Sequence, residues 1–229
     1  MFIMNRVKTV FLAAGLCSMG GAAMAAPIVL DFEGIGNQAS IQDFYNGGTD
    51  SAGNSGTDYG VEFSGNTLGI VDQDAGGNGN FANEPSPDTI MFWLSGGSSV
   101  MNLAAGFDTG FSFFYTSSTA ASIGIYSGLD ATGDLLATLN LTAQFSDNCS
   151  GDPTGQFCNW DAIGVGFNGL ARSIDFSGTA NQTGYDDITF GSVTPGTPGT
   201  PNPVPEPGTL AMLGLGLAGL GFRRRILKR

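Results

Sequence analysis

Acidic and amide side chains lie close together in the segment 71–84 (VDQDAGGNGNFANE). Asp72 and Asp74 are two residues apart, Gly76 allows a sharp turn, and Asn78 offers a further oxygen. Calcium takes six to eight hard oxygen ligands, often from a flexible loop of this kind. The EF-hand pattern fails at its fifth and twelfth positions, and no helical pattern flanks the segment. We therefore expect a calcium loop of another type, with a solvated turn as the alternative.

A second group of carboxylates belongs to the segment 185–190 (YDDITF). Strand alternation would place Asp186 on the same face as Ile188 and Phe190. If that face is inward, Asp186 needs a partner, and Asp31 and Glu33 from the start of the chain could join it around calcium. The alternative is an exposed strand end with unpaired acids.

Exposed aromatic side chains are the residues that stack on sugar rings. Trp160 is the best candidate for such a ligand contact, followed by Tyr45 and Tyr59 in the segment 44–60. Core packing is the alternative for Trp160, and we expect Trp93, in the apolar run IMFWL, to be a core residue.

Catalysis fits the composition poorly. The chain contains no His, and no Lys lies between residues 26 and 206. A glycosidase needs two carboxylates across a cleft, but the adjacent Asp186 and Asp187 would point to opposite faces of a strand. We therefore expect a protein that is not an enzyme, with a polysaccharide hydrolase as the least favoured possibility.

Charge is distributed unevenly along the chain. The full chain has 20 acids and 8 bases, but between residues 26 and 206 Arg172 is the single base against all 20 acids. Such a stretch repels nucleic acid and anionic lipid and attracts divalent cations. Nucleic acid is therefore excluded as a partner, and solubility is the simpler explanation for the charge.

The N-terminus has the layout of a secretory signal peptide. Arg6 and Lys8 precede a short apolar run, and an Ala-Met-Ala sequence ends at Ala25, which predicts a signal peptide at 1–25. Export favours a disulfide between Cys149 and Cys158, the two cysteines that remain in the mature chain.

Residues 26–191 form the predicted folded domain. Gly/Asn/Asp clusters separate short β-type runs, and no stretch shows a helical period over three turns. Many short strands with such turns predict an all-β fold, a β-sandwich of jelly-roll type. The segment 44–60 is predicted to be a long loop. The expected strands lie near residues 28–33, 60–63, 68–71, 89–94, 100–103, 110–116, 122–126, 135–141, 162–167, 172–176 and 185–190.

A proline-rich spacer and an apolar tail follow the domain. Residues 192–203 (SVTPGTPGTPNP) predict a semi-rigid linker. Residues 204–229 begin with Val204, Pro205, Glu206 and Pro207, continue with an apolar run that predicts a single membrane helix, and end with an arginine cluster. The order and spacing of these parts resemble the PEP-CTERM sorting signal of Gram-negative bacteria. A plain membrane anchor is the alternative.

The resemblance implies recognition by an exosortase, an inner-membrane peptidase, with Pro205, Glu206 and Pro207 as recognition residues. It also implies a transient stay in the inner membrane, then the cell surface or extracellular matrix, and association with exopolysaccharide and biofilm. The opening DFEG and closing YDDITF sequences are similar to those of domains found upstream of such tails. They also resemble jelly-roll carbohydrate-binding domains, which often hold a structural calcium where the first and last strands meet.

The expected function is that of an exported, non-catalytic surface or matrix protein associated with exopolysaccharide or another surface glycan. A dedicated carbohydrate-binding module is the alternative.

Overall fold

The computed structural model describes residues 27–147, 149 and 155–196, and all regular elements of these ranges are β-strands. The predicted signal peptide, most of the predicted spacer and the predicted sorting signal with its membrane helix lie outside the described residues. No described segment forms a helix that is long and apolar enough to cross a membrane.

The strands form two antiparallel sheets, which confirms the predicted all-β sandwich. The first sheet is ordered β3 (Thr67–Val71), β4 (Thr89–Trp93), β11 (Thr183–Phe190), β6 (Gly110–Ser117) and β9 (Asp161–Gly166), with β1 (Ile28–Leu30) also paired to β11. The second sheet is ordered β2 (Val61–Phe63), β5 (Ser98–Phe107), β10 (Ala171–Ser177), β7 (Ala121–Tyr126) and β8 (Leu135–Leu141).

Aromatic side chains fill the space between the two sheets. Phe113 on β6 and Phe176 on β10 are fully buried, with ring centroids 6.2 Å apart. The Tyr185 ring lies 4.9 Å from that of Phe176 and stacks on Trp93 at 5.9 Å. Trp93 is therefore a core residue, as its sequence context predicts. Such aromatic pairs add about 0.5–1.5 kcal/mol each beyond the area that they bury.

The segment 44–60 contains no strand, as predicted, but it is packed against the domain. Phe44 and Tyr45 belong to the core, and the Tyr45 hydroxyl accepts a hydrogen bond from Phe32 N at 2.8 Å. Asp50 is 3% exposed and accepts hydrogen bonds from Gly36 N, Ala52 N and both the backbone and side-chain nitrogens of Asn54. One buried carboxylate therefore organises the middle of this loop.

Strand β11 has two different neighbours along one of its edges. At its start, Tyr185 pairs with Met91 of β4, and near its end Ile188 pairs with Leu30 of β1. On the other edge, the pairing with β6 shifts register between Asp186 and Thr189. The residues 186 and 187 therefore lie where β11 changes partner and bulges, and this irregularity shapes the first of the two sites described next.

Candidate functional site

The first site is an acidic seam, which we define as Asp31, Glu33, Asp186 and Asp187 at the junction of β1 and β11. Asp186 and Asp187 are both fully buried. Regular alternation would place Tyr185 and Ile188 on opposite faces of the strand, but alternation breaks at this point. Asp187 has φ +48° within the bulge, so Tyr185 and Ile188, three residues apart, both reach the core.

Protein donors surround Asp186. Ser86 N donates to its Oδ2 at 2.8 Å, the Ser86 hydroxyl donates to Oδ1 at 2.8 Å, and Asp187 N donates to Oδ1 at 2.7 Å. Burial raises the pKa of Asp186 well above its ordinary value, although the Ser86 hydrogen bonds act in the opposite direction. The partner that the sequence requires for Asp186 is therefore Ser86, a residue that strand patterning could not identify.

Asp187 has a different environment. Neither of its carboxylate oxygens has a hydrogen-bond partner among the described residues, although the side chain is fully buried. Burial raises its pKa to about 7, and the nearby charges of Asp31 and Glu33 add to the rise. Two unpartnered oxygens beside two further carboxylates make Asp187, which the sequence did not single out, the best candidate ligand for a cation.

Glu33 connects the seam to the segment before β4. Its Oε1 accepts hydrogen bonds from Asp88 N and Thr89 N, both at 2.9 Å. In the described part of the chain, no three Asp, Glu, His or Cys side chains are already spaced to hold a metal ion. A cation at Asp187 would therefore need Asp31 or Glu33 to move towards it, with carbonyl or water oxygens completing its shell.

The predicted calcium loop around Asp72 is a compact turn. Gly77 N donates to Asp72 O at 2.8 Å, and Gly79 N donates to Val71 O at 2.8 Å. Asp72 is buried and Asp74 is exposed, while the amide oxygen of Asn78 accepts a hydrogen bond from the Asn37 side chain. Calcium binding by Asp72, Asp74 and Asn78 stays a prediction, and Asn78 would have to give up its partner.

The second site is a cavity of about 370 Å³ on the outer face of the first sheet, which we call the outer-face pocket. Its floor crosses four neighbouring strands at Ile70, Ile90, Phe92, Thr116 and Gly184. Ile90 and Phe92 alternate along β4 with core residues, so they face away from the core. Pockets of about 300–1,000 Å³ accommodate small ligands.

Two chain segments form the wall of the pocket. Phe81 and Phe157 pair through a parallel β-bridge, and Gln156 N donates to Asn80 O at 2.7 Å. The Phe145 ring lies 5.1 Å from that of Phe157. The predicted disulfide between Cys149 and Cys158 is present, with Cα atoms 5.3 Å apart, and Cys158 N donates to Phe145 O at 2.8 Å. The disulfide therefore fixes this wall.

Trp160 supports the wall from behind. Its indole N–H donates to Ala82 O at 3.0 Å, and its ring meets the edge of Phe81 at 6.4 Å. Trp160 is half-buried and is not among the residues that line the pocket. Sugar stacking by Trp160 stays a prediction.

The two tyrosines of the segment 44–60 lie elsewhere. Tyr45 is 3% exposed, so its ring is not available to stack on a sugar. Tyr59 stacks against Tyr45 at 6.1 Å and lines a smaller cavity of about 250 Å³ together with Asp31 and Glu33.

The sequence of the tail indicates how the protein is sorted. Residues 203–225 match the PEP-CTERM protein-sorting motif. The chain carries a PEP-CTERM sorting signal. This signal implies export, a transient membrane anchor and processing by an exosortase, and it marks the chain as an exosortase-targeted surface protein.

Among solved structures, adhesin and carbohydrate-binding domains are similar to this chain at low identity. The K2 cleaved adhesin domain of Lys-gingipain aligns at 10% identity, with a TM-score of 0.43, over 73% of this chain and 100% of that one. A family 6 module from Clostridium stercorarium in complex with cellobiose aligns at 15% identity and a TM-score of 0.34, over 56% and 85%.

A family 43 arabinoxylan arabinofuranohydrolase from Bacillus subtilis aligns at 17% identity and a TM-score of 0.37, over 55% of this chain and 24% of the enzyme. These likenesses concern the fold alone. No curated protein matches the PEP-CTERM chain in sequence.

Proposed function

We propose that this PEP-CTERM protein is a non-catalytic component of the bacterial surface or extracellular matrix that associates with exopolysaccharide after exosortase processing. The observation that carries the proposal is the sorting motif at residues 203–225, at the end of a chain whose folded domain is a β-sandwich. In this scheme the protein is anchored in the membrane only transiently, and its final location is the surface or matrix of a Gram-negative cell.

The outer-face pocket supports a binding function over a catalytic one. The described residues that line it are apolar, amide, hydroxyl or glycine residues, and none of them is titratable. General acid–base catalysis needs a group that exchanges a proton near neutral pH, and glycoside hydrolysis needs two carboxylates. The same lining favours a dedicated carbohydrate-binding module as the second candidate.

Calcium belongs to the proposal as a structural cofactor. We place it at the acidic seam with Asp187 and Asp31 as ligands, because Asp187 is fully buried with two unpartnered oxygens. Asp186 contributes indirectly, since its oxygens already accept hydrogen bonds from Ser86. A cation there would offset the repulsion between carboxylates that burial brings together.

The test is fractionation of a strain that produces the protein and its own exopolysaccharide. We expect the processed protein in the extracellular polymer, from which polysaccharide-degrading enzymes should release it. A strain that cannot make the polymer should shed the protein into the medium. Equal retention on the cell surface with and without the polymer would contradict the association. Turnover of the polymer by the purified protein would favour a hydrolase instead.

A further inference from the structure

We propose that the outer-face pocket binds a neutral glycan, that is, a sugar chain without carboxylate, phosphate or sulfate groups. The inference rests on the proposed association with exopolysaccharide and adds a site and a ligand class to it. Three features of the pocket carry it: an uncharged lining in an acidic domain, an unpartnered hydroxyl in the floor, and a tightly packed glycine in the floor where a side chain would change the shape of the pocket.

The uncharged lining stands out against the rest of the domain. Between residues 26 and 206 the chain has 20 acids and one base, yet no charged side chain occurs among the described lining residues. The single base, Arg172, lies exposed on β10 of the other sheet. An anionic sugar would be repelled by the surrounding field and would lose its hydration without gaining a cationic partner.

Thr116 places an unsatisfied polar group in the floor. The side chain is 1% exposed, and its hydroxyl has no hydrogen-bond partner within the ranges that the structure describes. Buried hydroxyls are normally paired, so an unpaired one in a pocket is a position where a ligand or water oxygen completes the pairing. A sugar hydroxyl both donates and accepts, and therefore suits it.

The other residues that line the pocket offer the two kinds of contact that a neutral sugar uses, apolar surface and hydrogen-bonding groups. Phe81, Phe92, Phe145 and Phe157 supply flat apolar surfaces. Asn80, Gln156, Asn181 and Gln182 supply amides, and each amide both donates and accepts, as neighbouring sugar hydroxyls require.

A sugar fits this site better than a peptide does. Extended peptides bind by adding a strand to a free sheet edge. The floor of the pocket is a sheet face whose backbone groups are already paired, as in the β3–β4 ladder and the β6–β11 ladder. A ligand on this floor would therefore contact side chains and not the paired backbone, and neutral sugars bind through such side-chain contacts.

Gly184 lies in the floor of the pocket, where neighbouring side chains leave no room for a Cβ atom. A Cβ atom at this position would lie 2.7 Å from Ile90 Cδ1, 3.3 Å from Thr116 Cγ2 and 3.4 Å from Trp160 Cη2. The backbone of Gly184 does not require glycine, because its φ lies outside the left-handed region. The side chains of Ile90, Thr116 and Trp160 therefore occupy the space beside Gly184, and a larger residue would push Ile90 into the floor of the pocket.

The experiment is calorimetric titration of the full chain, kept in a detergent without a sugar headgroup. The probes are neutral tetrasaccharides (cellotetraose, xylotetraose, maltotetraose and mannotetraose) and acidic ones of equal length (tetragalacturonate and tetramannuronate). We expect saturable binding of at least one neutral probe, at least tenfold tighter than either acidic probe and little changed by salt.

Two variants locate the site. Thr116→Val keeps the shape of the side chain and removes the hydroxyl, so we expect a three- to tenfold loss of affinity with the fold intact. Gly184→Val fills the floor and should abolish binding. Thr138→Val, the same change at an exposed position of β8 on the other sheet, is the matched control and should bind as the unaltered chain does.

The outcomes separate this inference from the proposed function. Tighter binding of an acidic probe overturns the ligand class, and unchanged neutral-sugar binding in both pocket variants overturns the site. If members of a peptide library bind to the pocket and none of the sugars does, the proposed ligand class is overturned as well. If no probe binds while the protein still co-fractionates with its exopolysaccharide, the inference fails and the proposed function stands. If no probe binds and the protein does not co-fractionate with its exopolysaccharide, the inference and the proposed function both fail.

Discussion

At the scale of single residues, the acidic seam shows what strand patterning can and cannot identify. The sequence placed Asp186 near Asp31 because the first and last strands were expected to meet, and β1 does pair with β11. It did not single out Asp187, since alternation assumes a regular strand and the bulge between Asp186 and Thr189 breaks that assumption. A bulge depends on pairing with β6 and is not encoded in the alternation itself.

The calcium proposal is tested at Asp187. Millimolar calcium should raise the melting temperature by about 5–10 °C over magnesium at matched ionic strength, because a ligand at a hundredfold excess over its Kd stabilises the fold by about 2.7 kcal/mol. Asp187→Asn should remove this shift and also stabilise the calcium-free protein, since it neutralises a buried, unpartnered carboxylate.

The exposed Asp108→Asn is the matched control and should keep the full calcium response. Asp72→Asn tests the other predicted calcium loop in the same way. Equal shifts with calcium and magnesium, unaltered in Asp187→Asn and Asp72→Asn, would mean that neither group of acids binds calcium.

Asp50 provides a test of pH dependence. Burial by itself would raise its pKa, but the hydrogen bonds from Gly36, Asn54 and Ala52 outweigh that effect and lower it. A lowered pKa in the folded state gives stability that is fully present above the unfolded pKa of about 3.9 and is lost as the pH falls through the folded value. Asp50→Asn should therefore cost about 1–3 kcal/mol at pH 7 and progressively less towards pH 3.

Urea unfolding at pH 7, 5 and 3 measures this difference. Asp58→Asn, an exposed carboxylate in the same loop, serves as the control and should change stability little. A destabilisation by Asp50→Asn that is the same at all three pH values would show that the charge of Asp50 is not what holds the loop.

At the scale of elements, the strands were predictable because apolar alternation and turn residues agree. Phe111, Phe113 and Tyr115 share the core face of β6, as their spacing predicts. Ends were harder. β5 runs from Ser98 to Phe107, beyond the predicted 100–103, because pairing with β10 extends it through residues with little pattern. β1 stops at Leu30, since Phe32 takes a positive φ.

The outer-face pocket could not be predicted either, because it depends on contacts between residues that are far apart in the sequence. Its wall pairs residues near Phe81 with residues near Phe157, more than seventy positions away in the chain, through a single β-bridge. Its floor draws on strands that are adjacent in the sheet but distant in sequence, such as β4 and β11. In the sequence, only the predicted disulfide indicated that the segment before β9 is held in place.

The disulfide itself carries an element-scale prediction. Replacing Cys149 and Cys158 together by serine should lower the free energy of unfolding by about 2–3 kcal/mol, because the bridge closes a short loop and restricts the unfolded chain. Neutral-glycan affinity should fall as well, since Cys158 follows directly on the pocket residue Phe157.

Reduction of the unaltered protein under native conditions is the comparison and should reproduce both effects. Non-reducing peptide mapping should find the two cysteine peptides linked. Free thiols at both positions in protein taken from the native compartment would contradict the bridge.

At the scale of the whole molecule, β11 separates the pocket from the point where the chain leaves the sandwich. Thr183 and Gly184 line the pocket at its start, whereas Gly196 N donates to Thr189 Oγ1 near its end. Five steps of about 3.3 Å along the strand place Thr189 about 17 Å from Gly184. The pocket and the last described residues therefore lie towards opposite ends of β11.

Release depends on the sorting signal, and Glu206 is the residue to test. A proline on each side holds the backbone of Glu206 extended and removes hydrogen-bond donors, which suits the groove of a peptidase. We expect the mature surface protein to lack the segment from about residue 208 onward. Glu206→Ala should leave the full-length chain in the inner membrane, whereas Glu62→Ala, the same change at an exposed position of β2, should be processed normally. Intact-mass measurement of membrane and surface fractions distinguishes the two forms, and Arg229 retained on the surface protein would show that the tail is a permanent anchor.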